Sequence, residues 1–254
     1  MTAGEPGPSG FSRRALLGAT LIGTAGAAIG TRADATGGSL VRADVQWDRF
    51  LADADPLWRR MPQAWHEGPF LGNALLGSTV YAQPGANAVR FTVSHSQVQD
   101  HRPQFGSLFG LARLPIGHLT LEPVGAITGV DWRLDLWNAE LRGTITTAAG
   151  SLALRALVHD SRSVLVVEVT PTEGEAAFRW TFHPEEAVSP RADPVFGKPP
   201  PEGYVANPPP VVRRGDGLEV VVQPLRAGGQ HVTAWREVSR GRTLTLYVTV
   251  AWSF

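Results

Sequence analysis

From about residue 71 onward, apolar and polar residues alternate in short runs, and turn-forming residues separate the runs. This pattern restricts the chain more than any single motif does. Residues 89–93 read Val-Arg-Phe-Thr-Val, so Val89, Phe91 and Val93 share one face of an extended segment. Pro84-Gly85-Ala86-Asn87 divides this segment from an apolar run at 75–81, which is a hairpin pattern. Runs at 117–124, 132–136, 141–146, 152–157, 164–169, 178–182, 218–222, 231–235 and 244–252 read the same way. Thr, Val, Phe, Trp and Leu fill them, and Gly, Pro, Asp and Asn lie between them. No long stretch carries a helical period. Residues 43–58 come nearest, as a short helix or an irregular lead-in.

So many short strands predict an all-β fold, either a sandwich or a barrel. They are too many for one immunoglobulin-like unit. A large two-sheet antiparallel super-sandwich is therefore expected over residues 65–254, after a lead-in at 36–64. Hydrophobic residues make up 43% of the chain, enough to build such a core. One segment breaks the pattern. Residues 183–217 hold Pro184, Pro190, Pro194, Pro199-Pro200-Pro201 and Pro208-Pro209-Pro210. Proline lacks a backbone donor, so this segment is expected to be a loop and not a central strand. It reads as a solvated insertion in preference to a functional lid.

The first 35 residues read as an export address. Arg13-Arg14 precede an uncharged, Gly- and Ala-rich apolar stretch, and Ala33-Asp34-Ala35 supplies a small-residue cleavage site. Paired arginines before a weakly hydrophobic run predict the twin-arginine route. The mature protein is expected in the secreted fraction or the cell envelope, with no membrane association after cleavage. The chain has no cysteine, which excludes disulfides, thiolate catalysis and Cys-based zinc sites. Its 23 basic and 23 acidic residues cancel, so no nucleic acid partner is expected.

No phosphate-binding glycine loop, zinc-protease motif or nucleophile elbow occurs. The densest polar stretch is Ser94-His95-Ser96-Gln97-Val98-Gln99-Asp100-His101-Arg102. Its His95, Asp100 and His101 are candidates for contacts with sugar hydroxyls. A metal there needs a third ligand such as His66 or Glu67, and no metal or cofactor is assigned. Trp65-His66 forms a second candidate cluster, because an indole face stacks on a sugar ring. Trp132, Trp137, Trp180, Trp235 and Trp252 fall in or beside strand-like runs, which makes the core their expected place. Asp100, Asp131, Asp135, Glu140 and Asp160 are carboxylates available for acid–base work on a glycoside. The sequence pairs no two of them, so no catalytic residue is assigned.

Several stretches together resemble one known family. Residues 69–80 read Pro-Phe-Leu-Gly-Asn-Ala-Leu-Leu-Gly-Ser-Thr-Val, similar to the opening L-G-N-G-x-L-G-A-x-V element of glycoside hydrolase family 95 and its relatives. Ala74 stands at the usual second Gly, and Ser78 at the following Ala. The family's next N-E-x-x-L-W segment is replaced here by the polar loop from Ser94 to His101. Leu114-Pro-Ile-Gly-His-Leu-Thr-Leu121 and Trp132-Arg-Leu-Asp-Leu-Trp-Asn-Ala139 resemble later elements, as does the stretch 154–169. The resemblance implies a large non-catalytic β super-sandwich that precedes an (α/α)6 catalytic domain acting on α-L-fucosides or related glycosides. It adds Asn73 as a candidate contact. Nothing in the chain reads as a helical toroid. A fragment of a longer enzyme is therefore expected, or else a free-standing carbohydrate-binding or structural module.

Overall fold

The computed structural model describes residues 45–192 and 199–254. Arg13, Arg14 and the rest of the expected export segment lie outside the described residues. The chain enters through one short helix, α1 (Trp47–Asp53), none of whose residues is buried. This helix falls inside the stretch where the sequence comes nearest to helical period.

Fourteen strands are found among the described residues. The first five are β1 (Leu57–Trp58), β2 (Phe70–Gly72), β3 (Leu76–Ala82), β4 (Val89–His95) and β5 (Gly117–Glu122). Next come β6 (Ile127–Asp135), β7 (Glu140–Thr147), β8 (Gly150–Val158), β9 (Val164–Pro171) and β10 (Arg179–Pro184). The last four are β11 (Val211–Gly215), β12 (Leu218–Pro224), β13 (Gln230–Arg240) and β14 (Thr243–Ser253). They form two antiparallel sheets. The larger runs β1-β6-β7-β8-β9-β14-β13-β12-β11 and the smaller runs β10-β5-β4-β3-β2. The all-β, two-sheet antiparallel sandwich is thus the architecture of the chain.

Alternation places the core. In β4, Val89, Phe91 and Val93 are buried, while Arg90 and Thr92 lie on the other side. In β8, Leu152, Leu154, Ala156 and Val158 turn inward from the opposite sheet. With Leu119, Leu121, Leu141, Ile145, Val167, Leu246, Val248 and the fully buried Trp132, they make one continuous apolar layer. Burying each such side chain contributes about 1.5–3 kcal/mol.

Two segments differ from expectation. Leu57 and Trp58, in the expected lead-in, pair with Arg133 and Trp132 as an edge strand of the larger sheet. The Pro-rich segment is also more than an unpaired insertion. Its last residues form β11, which pairs along β12 from Val211↔Val222 to Gly215↔Leu218. β11 is an outer edge, where no second partner requires the donors that Pro208, Pro209 and Pro210 lack just before it.

Two polar residues lock the turns. Glu175 is fully buried, and its carboxylate accepts bonds from Val124 N and Gly125 N (2.8 Å each) and from Thr147 Oγ1 (2.5 Å). It thereby joins the β5–β6 connection to the β7–β8 hairpin. Burial alone raises its pKa, but those three donors outweigh burial and hold the pKa below the usual carboxylate range. Asn73 closes the β2–β3 turn: its Oδ1 accepts from Leu75 N (3.1 Å) and Leu76 N (2.9 Å). The next residue, Ala74, has φ 74°. A side chain in the left-handed region costs about 1 kcal/mol. Ala74→Gly is therefore expected to stabilise the fold by up to ~1 kcal/mol, read as a higher urea midpoint with unchanged slope.

Candidate functional site

The outer face of the five-stranded sheet gathers a row of polar residues from neighbouring strands. Residues 117–122 read Gly-His-Leu-Thr-Leu-Glu, so Leu119 and Leu121 enter the core while His118, Thr120 and Glu122 lie on the opposite face, where His118 and Thr120 are themselves buried. In β10, Trp180 and Phe182 pack on the core, leaving Arg179, Thr181 and His183 on the outer side. Strand register then aligns these residues. His183 pairs opposite His118, and His118 opposite Thr92. The hydroxyls of Thr92 and Thr79 meet at 2.8 Å, and Thr79 lies opposite Phe70. One row thus crosses all five strands, a span of about 19 Å at usual strand spacing. A second row runs Thr181, Thr120, Arg90, Tyr81.

The imidazole rings of His118 and His183 stack with centroids 4.8 Å apart. Thr120 Oγ1 and His183 Nε2 share a hydrogen bond of 2.9 Å. Glu185, just past β10, reaches back over the row. Its Oε1 accepts from Arg90 Nη2 (2.7 Å) and lies 3.3 Å from His118 Nδ1. The His118 hydrogen bond and the Arg90 charge hold the Glu185 pKa down, against the opposing effect of burial. Burial, followed by the neighbouring His118, lowers the pKa of His183, which favours the neutral ring, a form that both donates and accepts. Each end of the face carries a cleft. One of about 790 Å³ is lined by Gln83, Asn87, Thr120, Glu122, Arg179 and His183. The other, of about 330 Å³, is lined in part by Phe70, Leu75, Ser94, Ser96 and Arg113. Both fall in the size range of small-ligand sites. The face offers paired donors and acceptors of mixed charge, which suits a hydroxyl-rich ligand.

Sequence reasoning missed Arg90, His118, His183 and Glu185. Period-two alternation was the signal available for His118, Thr120 and Glu122, because it places all three on one face. The cross-strand partners were invisible without register.

The sequence-predicted residues occupy different places. Trp65 is 64% exposed and meets the exposed His66 edge-to-face, with centroids 5.4 Å apart. Asn73 is used up in the fold: besides its turn bonds, its Nδ2 donates to His159 O (2.8 Å) and Arg162 O (3.0 Å). His95 is buried and packs at a tilt against Trp252, with ring centroids 4.7 Å apart, and burial lowers its pKa. Asp100 is fully buried. Arg102 bonds it through Nε and, at 2.6 Å, through Nη2, and the Tyr204 hydroxyl donates to it at 3.0 Å. His101 stacks on Phe254 at 3.7 Å. The polar loop of the sequence is therefore divided among internal partners. The carboxylates named from sequence are spread similarly. Asp131 is held by Arg59, Asp135 accepts from Asn138 N and Nδ2, and Glu140 lies between Arg142 and Arg155.

Trp132 and Trp235 are buried and Trp180 packs against the core. Trp252 departs from its expected place. It is 40% exposed near the end of β14, with its indole against the His95 ring. Among the described residues, no three His, Asp or Glu side chains gather as a metal site. No helix among them is long and apolar enough to cross a membrane.

No known family profile matches the chain, and no curated protein matches it. Among solved structures, 12 chains match. One is a human-microbiome protein described as a kojibiose phosphorylase, 12% identical, with a TM-score of 0.42. The match covers 72% of this chain and 27% of the length of that protein.

Proposed function

We propose that this chain is the non-catalytic sandwich of an exported carbohydrate-active protein, and that the outer face of its five-stranded sheet receives a glycan. The observation that carries this reading is the row His183, His118, Thr92, Thr79 and Phe70, with a cleft at each end. Hydroxyl and imidazole groups supply donors and acceptors along the row, and an aromatic ring ends it. A neutral polyhydroxylated chain matches that mixture better than a charged ligand does. The ordered stretches at 69–80, 114–121, 132–139 and 154–169, similar to family 95, support the same class. The finer reading places the glycan among α-L-fucosides or their relatives, with a helical catalytic domain of the same polypeptide as partner. Export by the twin-arginine route through Arg13 and Arg14 completes it.

Isothermal calorimetry of the chain against fucosylated, cello-, malto- and xylo-oligosaccharides tests the binding claim. Measurable binding that weakens in His183→Ala and Arg179→Ala is expected, with no release of sugar. A chain that binds none of these glycans refutes the reading. Sequencing the gene beyond codon 254 separates the two settings of the module. An open frame rich in helical period indicates the fused catalytic domain, and a stop codon indicates a module that acts alone.

A further inference from the structure

The strand β2 carries an exposed aromatic side chain whose position is built into the sheet. Phe70 is 61% exposed, on the polar outer face. A solvent-facing phenyl ring at a sheet edge is ordinarily free to choose its rotamer. Here the ring leans inward across two glycines. A Cβ added to Gly72 lies 3.0 Å from ring atoms Cε1 and Cζ, and one added to Gly77 lies 3.2 Å from Cε2 and Cζ. The far edge of the ring therefore rests over bare backbone on its own strand and on the neighbouring one. Any side chain at residue 72 or 77 displaces it. The pair Gly72↔Gly77 is in direct register, so the two gaps merge into one floor.

The surroundings of the ring are mixed in a specific way. Leu75 extends the apolar surface at 41% exposure. Ser94, Ser96 and Arg113 line the same cleft of about 330 Å³. The Ser94 hydroxyl donates to Gly77 O at 3.1 Å, which leaves its lone pairs to accept from a ligand. An apolar plate bordered by hydroxyl and guanidinium groups matches a pyranose ring. One face of such a ring presents C–H bonds, and its rim presents hydroxyls. An apolar peptide satisfies the plate and wastes the rim. An anion satisfies Arg113 and wastes the plate.

We propose that Phe70, lying on the Gly72–Gly77 floor, is the stacking platform for one pyranose ring of the glycan, with Ser94 and Arg113 bonding its hydroxyls. This rests on the reading of the sheet face as a glycan site and names the part of that face that supplies the apolar contact.

The test uses the whole chain and the oligosaccharide of the calorimetric panel that binds best. Phe70→Ala is expected to weaken binding about tenfold, and Phe70→Trp to restore it, in line with the worth of aromatic stacking. Gly72→Val keeps the phenyl group and the Ser94 hydroxyl and removes the floor, and it is expected to weaken binding as Phe70→Ala does. Saturation-transfer NMR reads the contact directly, because ring protons of Phe70 should transfer to the C–H face of one sugar. Thermal melts of each variant identify any loss that comes from unfolding. Unchanged affinity in Phe70→Ala, with His183→Ala still weakened, overturns the platform and leaves the sheet-face reading standing. Absence of binding by the parent chain overturns both. Quenching of the platform by a protein partner in place of sugar, with no transfer to any glycan, also overturns it.

Discussion

Asp100→Ala is expected to destabilise the protein by about 3–5 kcal/mol, a large share of the stability of a domain this size. The carboxylate is fully buried and the Arg102 side chain is 7% exposed. Arg102 bonds Asp100 through two nitrogens and donates from Nη1 to Val205 O at 2.7 Å. Its guanidinium lies 4.4 Å from the centre of the Tyr204 ring. Removing the carboxylate leaves a desolvated cation without its counter-charge. It also removes the acceptor for Tyr204 and weakens the hold on Asn207, whose Nδ2 lies 3.4 Å from Asp100. These contacts fasten the Pro-rich segment to the loop after β4. Limited proteolysis of the variant should therefore cut first within residues 199–210, ahead of global unfolding. Replacing both members, as Asp100→Leu with Arg102→Met, should cost less than Asp100→Ala alone. A loss below about 1 kcal/mol in urea titration counts against a buried pair.

Mild acid should weaken the fold through a buried imidazole. His231 is 3% exposed, and burial, with a smaller contribution from nearby His95, lowers its pKa from 6.5 to about 4. The unfolded chain then binds the proton at a higher pH than the folded one. Stability is complete above about pH 6.5, declines as the pH falls towards 4, and levels off below that. The difference corresponds to about 3 kcal/mol from His231. Burial also lowers His95 and His183, which add to the loss in the same direction. Glu175 and Glu185 have lowered pKa values, so their contribution is lost only at still lower pH, through their own folded values. Urea unfolding at pH 7, 5.5 and 4 should show the decline, and His231→Gln should flatten most of it. Equal stability at pH 7 and pH 4 in the parent chain rules out a buried neutral imidazole at this position.

Eleven of the fourteen strands were legible, β3 as an apolar run and the other ten as period-two runs, all bounded by turn residues. β12, β13 and β14 contain the sequence runs at 218–222, 231–235 and 244–252. The three that were not legible have physical reasons. β1 has only two residues, too few to show alternation. β2 has three and lies beside glycines. β11 follows three prolines, and all five of its residues are exposed, so no apolar face marks it. In the polar stretch from Ser94 to Arg102 the composition was legible and the partners were not. A dense cluster of His and Asp suggested a contact loop. In the fold His95 turns to Trp252, Asp100 to Arg102 and His101 to Phe254.

By itself the sequence determined the class of fold, the alternation that separates core from surface, and the absence of thiol chemistry. Those properties are local: each depends on a residue and its neighbours two places away. The tertiary structure decided which polar residues are partners and which remain available. His118, Thr92 and Phe70 come from three strands that the chain visits at distant points, and only register lays them in one row. Register depends on the packing of all the inward faces at once, because a slip of one residue turns every core side chain outward.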